Sequence, residues 1–255
     1  MDIHDEHECA QEAHKHPGGV ARGDGVDQQS PRPRLMRISE VGQNCDPASP
    51  LGCVLEWVRG FLARPHPQLG RTGSVCPFVP IALWLDTIWM AEVAETAPSF
   101  ERLSAIITDY RNVFLETEPT IGPEALNKAF LVVFPSLKAN GADGAAVVDK
   151  VQVSLKRYFV EMGLMLGEFH AANESPGLRN PDFRPLRSPI PMLAIRHMVE
   201  SDLPFLIRET YPPKERSSFL RSYLFHLGGE LSEVKFKAAL DGLIAAEVAI
   251  VLNAA

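Results

Sequence analysis

Residues 64–80 read RPHPQLGRTGSVCPFVP and hold more conformationally special residues than any other stretch of the chain. The four prolines of this segment each fix φ and remove a backbone N–H donor, whereas its two glycines allow positive φ. A loop of this composition loses little entropy when it folds, so we expect it to be ordered. An ordered loop carried by helices and strands is typical of a binding or catalytic site.

The sequence after Cys76 predicts a short helix with Pro77 at its first position, where proline is favoured. Cys76 would then lie at or beside the N-cap, where the helix dipole and nearby Arg71 would favour the thiolate. A stabilised thiolate can be a nucleophile, a redox centre or an iron ligand. The alternative is a small residue buried under a proline-rich turn.

Composition limits the classes of function. A chain of 255 residues that is 45% hydrophobic can bury a substantial core. A net charge of −7 argues against nucleic acid or an anionic membrane as the main partner. The four cysteines lack C-x-x-C spacing, and we expect them to be reduced thiols of a cytoplasmic protein.

The chain divides into a polar lead and a folded region. Residues 1–48 are rich in Gly, Asp, Gln, Pro and His, which predicts a disordered tail. Its histidines could bind a transition metal adventitiously, but a solvated tail is the favoured explanation because they lack a defined zinc spacing. Residues 49–255 are predicted to form a single α+β domain.

The predicted architecture is a small central sheet of about four strands with helices packed on it. Apolar runs bounded by proline or glycine predict the strands, and apolar residues at helical spacing predict the helices. The strands are expected at residues 87–93, 129–134, 163–170 and 190–198, and the principal helices at 49–63, from 99 onward, 145–160 and 232–252.

A second conspicuous region runs from Gly167 to His197. It contains a loop of about twenty residues, and such a loop is more often functional than idle. Its arginines could clamp a carboxylate, a phosphate or a haem propionate. The alternative is a set of surface arginines paired with Glu174 and Asp182.

His170 and His197 each lie near the end of a predicted strand. Either could be an axial ligand, a proton donor or a hydrogen-bond partner in a pocket, and either could instead be structural. His66 lies between two prolines, as a site residue or a rigid turn element. Motifs of serine hydrolases, nicotinamide enzymes, P-loop proteins and zinc proteases are absent from the sequence.

The strings RPHPxLGRxGxVCPFVP (residues 64–80) and NPDFRPLRSPxPMLAIRH (residues 180–197) resemble a microbial domain family of unknown function. The resemblance covers roughly residues 50–225. More distantly, the layout resembles the YqcI/YcgG family, which includes haem-dependent enzymes that hydroxylate guanidine nitrogens. The turn at Cys76 is also similar to the Pro-Cys-Pro turn of chloroperoxidase-type haem-thiolate enzymes, but Val75 replaces the first proline.

These resemblances imply a haem-dependent oxidoreductase, a monooxygenase of specialised biosynthesis acting on a small metabolite such as an amino-acid derivative. Haem b would be the cofactor, and an electron donor would be a partner. The implied site has Cys76 as the axial iron ligand, Arg71, Arg184 and Arg187 as cofactor-binding residues, and His197 and His170 as catalytic residues.

Two alternatives come from other classes of protein. One is a non-catalytic domain that binds a small molecule or a protein partner, with Cys76 buried. The other is a cofactor-free enzyme with Cys76 as nucleophile and His66 or His197 as base.

Overall fold

A five-stranded sheet organises residues 33–253, which are the residues described by this computed structural model. Its strand order is β1-β2-β3-β5-β4, with β2 and β3 parallel and the other pairs antiparallel. The strands are β1 (Met36–Arg37), β2 (Ile88–Glu92), β3 (Ala129–Val133), β4 (Leu164–Phe169) and β5 (Met192–His197). The predicted α+β class is therefore confirmed, with one strand more than expected.

Helices cover both faces of the sheet. Short helical turns of other types occur at Val58–Leu62 (π), Pro67–Leu69 and Glu200–Asp202 (both 3-10). The α-helices are α1 (Ile38–Asn44), α2 (Pro50–Trp57), α3 (Val79–Trp84), α4 (Phe100–Glu116), α5 (Gly122–Leu126), α6 (Pro135–Ala139), α7 (Gly141–Val160), α8 (Leu203–Leu206), α9 (Pro213–Leu227) and α10 (Glu233–Leu252).

Side chains alternate between the two faces of the sheet because the side-chain period of a strand is two residues. One face, which we call the α7 face, packs against α4 and α7 through strand residues such as Phe130, Leu166 and Ile195. The opposite α2 face packs against α1, α2 and the 64–80 loop through residues such as Met90 and Met192. A third cluster joins α8, α9 and α10.

The ordered structure begins before the predicted boundary at residue 49. Within the predicted disordered tail, β1 pairs with β2, and α1 buries Ile38 and Val41 against the α2 face. The prediction was wrong for these residues because a two-residue strand and a two-turn helix carry too little periodicity to be recognised. The histidine-rich segment, residues 1–32, lies outside the described residues.

Helix α3 also begins later than predicted. Its N-cap is Phe78, and Pro80 rather than Pro77 lies in its first turn. The physical reason is that the preceding backbone is already engaged, since the N–H of Cys76 donates to the carbonyl of Leu62 at 2.9 Å. Cys76 therefore lies two residues before the N-cap and not at the helix terminus.

Candidate functional site

A cleft of about 480 Å³ lies between α7, the end of β4 and the loop that follows β4. Its lining includes three carboxylates, and there is no lysine or arginine among the described residues that line it. The lining residues are Asp149, Gln152, Val153, Glu168, His170, Ala172, Asn173, Glu174 and Ser175.

Strand periodicity places two of these residues. Leu164 and Leu166 point into the core of the α7 face, and Glu168 and His170 continue the same alternation towards the end of β4. On α7, Asp149 and Gln152 share the side that faces β4, as residues three apart on a helix do. The cleft forms where the apolar contact between the two elements gives way to polar side chains.

His170 and Asp149 join the two elements. Nε2 of His170 lies 2.8 Å from Oδ1 of Asp149, and because a carboxylate can only accept, Nε2 is the donor. The His170 side chain is 4% exposed, and its Nδ1 is buried without a partner among the described residues. The Asp149 side chain is 50% exposed and faces the cleft.

Glu168 is the second carboxylate of the cleft, and its pKa is raised above the usual range. Burial of the carboxyl group is the main cause, and the negative charge of Asp149 acts in the same direction. Hydrogen bonds and the positive charge of Lys156 oppose the rise. Two carboxyl groups whose environments differ in this way are typical of acid–base sites.

The wall formed by the 171–189 loop is fixed by polar contacts. Asn173 donates from Nδ2 to the carbonyl of Glu168 at 3.4 Å, and the carbonyl of His170 accepts from the N–H of Asn173 at 3.1 Å. Glu174 accepts from both Arg184 and Arg187. Arg184 and Arg187, which were predicted to clamp an anionic group, are therefore paired with Glu174. This agrees with the alternative interpretation, in which the loop arginines pair with carboxylates of the same loop.

Cys76, the predicted iron ligand, lies on the α2 face, where it is half-buried against the core of that face. The guanidinium of Arg71 donates to the carbonyls of Thr72 and Val75, the second of which belongs to the residue before Cys76. A charged neighbour of Cys76 is Arg196. Burial lowers the pKa of the Arg196 guanidinium, but Asp202 and, to a smaller extent, Cys76 outweigh burial, so this pKa is raised.

The two predicted catalytic histidines lie on the opposite face of the sheet. His197 follows Leu193 and Ile195 in the alternation of β5 and packs against Phe114 of α4, with 5.0 Å between ring centroids. His170 contacts α7. The structure therefore does not bring Cys76 together with either histidine. The predicted arrangement needs the iron ligand on one side of the haem ring and a histidine on the other side. These positions do not fit that arrangement.

His197 belongs to a buried polar cluster of its own. Its Nε2 has no partner among the described residues, and its pKa is lowered to about 4 by burial and by the charge of Lys128. Lys128 is 1% exposed and donates to the carbonyls of Phe114 and Thr117 at 2.7 and 2.6 Å. Lysine in this position satisfies carbonyls at the C-terminal end of α4, which is a structural role.

The two strings singled out in the sequence dock on each other. Asn180 donates from Nδ2 to the carbonyl of Gln68 at 2.8 Å, and the ring of Phe183 stacks on His66 with 4.7 Å between centroids. Gly70 has φ of 73°, and a Cβ at this position would lie 3.1 Å from Cβ of Arg179. We call this contact the loop clamp; His66 is part of it as a stacked ring.

Sequence reasoning identified His170 and Glu174 in the right region but missed Asp149 and Glu168. Glu168 had a detectable signal, because a charged residue two positions before His170 on the same strand must share its face. The sequence holds no comparable signal for Asp149. This residue lies 21 positions before His170 in the chain and contacts it only in the folded structure.

Among the described residues, no group of three or more His, Cys, Asp or Glu side chains is arranged to hold a metal ion. In the same part of the chain, no helix combines the length and apolar character required to cross a membrane.

Comparison with known proteins gives one match. The family described as a domain of unknown function (DUF6875) matches residues 51–235. No curated protein and no solved structure matches the chain. The predicted resemblance to a family of unknown function is confirmed, whereas the link to the YqcI/YcgG family stays a prediction.

Proposed function

Since the chain belongs to this family of unknown function, and the family description names no chemistry, we propose from the site alone that the domain binds a small, positively charged organic molecule in the α7–β4 cleft and exchanges a proton with it through Glu168. The observation that supports this proposal is the pair of carboxylates, Asp149 and Glu168, in a cleft without a lining lysine or arginine among the described residues.

The charge of the cleft favours a cation. Asp149 and Glu168 are close enough for the charge of Asp149 to raise the pKa of Glu168. A bound cation would replace this repulsion by attraction to both groups, and the partly desolvated site would strengthen that attraction. An anionic ligand would instead add a further negative charge to those of the lining carboxylates, and it would find no lysine or arginine among the described lining residues.

The two carboxylates have different roles in the proposal. Asp149 is held by the buried His170, so it serves as a fixed anchor for the ligand's positive group. Glu168, whose pKa is raised mainly by burial, is the group that takes up or releases the proton. Burial and like-charge repulsion are the usual ways in which a protein prepares such a group.

The experiment compares three four-carbon probes that differ in charge: putrescine (a dication), 1,4-butanediol (neutral) and succinate (a dianion). Binding to the full chain is followed by NMR shifts of the Glu168 carboxyl carbon and by calorimetry. The proposal predicts binding in the order putrescine, butanediol, succinate. Equal binding of putrescine and butanediol, or tighter binding of succinate, would overturn it.

Variants locate the binding site. Asp149→Asn and Glu168→Gln keep the size of the side chains and remove one charge each, so each should weaken putrescine binding at least about tenfold, or about 1.4 kcal/mol. Glu161→Gln is the matched control, because Glu161 follows α7 outside the cleft and pairs with Arg157. A similar loss in all three variants would show a non-specific effect of net charge.

The haem-dependent oxygenase stays a separate prediction with its own test. The observation that bears on it is the electrostatic interaction between Cys76 and the Arg196 guanidinium. An absorption spectrum of protein produced with ample iron and a haem precursor should show a Soret band that changes in Cys76→Ala. A colourless protein that fails to take up added hemin would contradict the prediction.

A further inference from the structure

Gln152 lines the same cleft as Asp149 and Glu168, and its amide group has a fixed orientation. Nε2 of Gln152 donates to the carbonyl oxygen of Leu166 at 3.0 Å. Because a carbonyl oxygen can only accept, the NH2 side of the amide must make this contact. The oxygen Oε1 is therefore the side of the amide that is left for another partner.

Oε1 of Gln152 is an acceptor that is open to the cleft. No donor of the described residues reaches it. Buried side-chain atoms without a partner occur in this part of the chain only at Ser104, His170 and His197, so Oε1 is in contact with solvent. Since Gln152 lines the cleft, a ligand in the cleft can donate a hydrogen bond to Oε1.

The two carboxylates add further acceptors to the same lining. Oδ1 of Asp149 accepts from Nε2 of His170, whereas no donor of the described residues reaches Oδ2. Glu168, when ionised, can also only accept. Three lining side chains thus offer acceptors to one ligand, and an ammonium group has several N–H donors that match them.

The cleft does not offer the surface that a fully alkylated cation needs. Quaternary ammonium ligands are bound mainly by the faces of aromatic rings. There is no Trp, Tyr or Phe among the described residues that line the cleft, and the imidazole of His170 is buried. A cation without N–H groups would therefore contact no aromatic face and leave the acceptors of the cleft unpaired.

We propose that the α7–β4 cleft binds cations that carry N–H donors, of the class of protonated primary amines and guanidines, in preference to quaternary ammonium groups, and that Oε1 of Gln152 contributes to this selectivity. The inference rests on the proposed cation site and names its ligand class. It also agrees with proton exchange at Glu168, because a quaternary nitrogen has no proton to exchange.

The test compares three monocations with the same butyl chain: butylammonium, butylguanidinium and N,N,N-trimethylbutylammonium. Calorimetry with the full chain measures the three affinities. The first two cations should bind at least about tenfold more tightly than the trimethyl cation, because only they can donate charge-assisted hydrogen bonds. Butylguanidinium separates the effect of donors from that of size, since its head group is larger than an ammonium group but retains N–H groups.

Two results would overturn the inference. One is equal or tighter binding of the trimethyl cation compared with butylammonium. The other is binding of butylguanidinium as weak as that of the trimethyl cation, which would assign the difference to size. In both cases putrescine can still bind more tightly than butanediol, so the cation site would stand. Absence of binding by all three cations would contradict the proposed function and this inference together.

Gln152→Leu tests the contribution of Oε1. It should weaken butylammonium binding at least about threefold and leave the affinity of the trimethyl cation unchanged, so the trimethyl cation reports damage to the cleft. Ser154→Ala is the matched control, because Ser154 is a polar residue of α7 that donates to the carbonyl of Val151 and does not line the cleft. Equal weakening of both cations in Gln152→Leu would overturn the role of Gln152. If this variant fails to fold, the three cations in the unsubstituted protein still decide the selectivity.

Discussion

The imidazole of His170 and the carboxylate of Asp149 are joined by a 2.8 Å hydrogen bond that ties the end of strand β4 to helix α7. The imidazole is buried, whereas half of the Asp149 side chain is exposed to the cleft. The buried imidazole of His170 therefore holds the exposed carboxylate of Asp149 in position, which is the arrangement expected of a preorganised site.

The first prediction concerns this pair. A double-mutant cycle with Asp149→Ala and His170→Leu should give a coupling free energy of about 1 kcal/mol, because the hydrogen bond is partly shielded from water. Chemical denaturation of the four proteins measures it. Additive effects of the two substitutions would show that the hydrogen bond contributes nothing to the fold.

Glu168 should reveal a conflict between stability and binding. Its pKa is raised mainly by burial, so the folded state disfavours its charged form at neutral pH. Glu168→Gln removes that cost and should raise the midpoint of thermal unfolding at pH 7 while it weakens putrescine binding. Loss of both stability and binding would instead indicate that Glu168 supports the fold.

His197 should make the protein sensitive to acid. Its folded-state pKa of about 4 lies below the value of 6.5 expected for the unfolded chain, so the unfolded state binds the proton more tightly. The stability that depends on neutral His197 is present above pH 6.5 and is lost as the pH falls towards 4, by at most about 3 kcal/mol.

The measurement is the free energy of unfolding between pH 7 and 4, in the unsubstituted protein and in His197→Gln. The variant should lose less stability over this range, because glutamine does not titrate. His226→Gln is the control, since His226 is an exposed histidine. Parallel pH profiles for the unsubstituted protein and His197→Gln would contradict the prediction.

The loop clamp should contribute to stability and not to binding. Asn180→Ala removes the 2.8 Å bond to the carbonyl of Gln68 and a 3.0 Å bond from the N–H of Asp182, at a cost of about 1–2 kcal/mol. Because none of the clamp residues lines the cleft, putrescine affinity should stay unchanged. A variant that unfolds normally but binds putrescine poorly would show that the clamp shapes the cleft.

Local sequence patterns predicted much of the fold. The run at 129–134 and the alternation before His170 gave strands close to β3 and β4, because burial on defined faces imposes those patterns. The start of α3 could not be predicted, since it depends on the bond between Cys76 and Leu62. The same limit explains the site: Asp149 and His170 are neighbours only after α7 packs on the sheet.

The loop at 64–80 illustrates a different limit. Its composition correctly indicated an ordered segment, but order by itself does not distinguish a catalytic loop from a structural one. The contacts of Asn180 and Phe183 with Gln68 and His66 show that at least part of its special composition serves the loop clamp.

The central claim, a cation bound at the carboxylates of the cleft, is tested most directly by putrescine affinity at one pH below and one pH above the NMR titration midpoint of the Glu168 carboxyl, in the unsubstituted protein and in Glu168→Gln. A cation favours the charged form of Glu168, so its affinity should rise with pH, and Glu168→Gln should lose most of that rise. An affinity that is the same at both pH values, or a pH dependence that Glu168→Gln retains in full, would contradict the account.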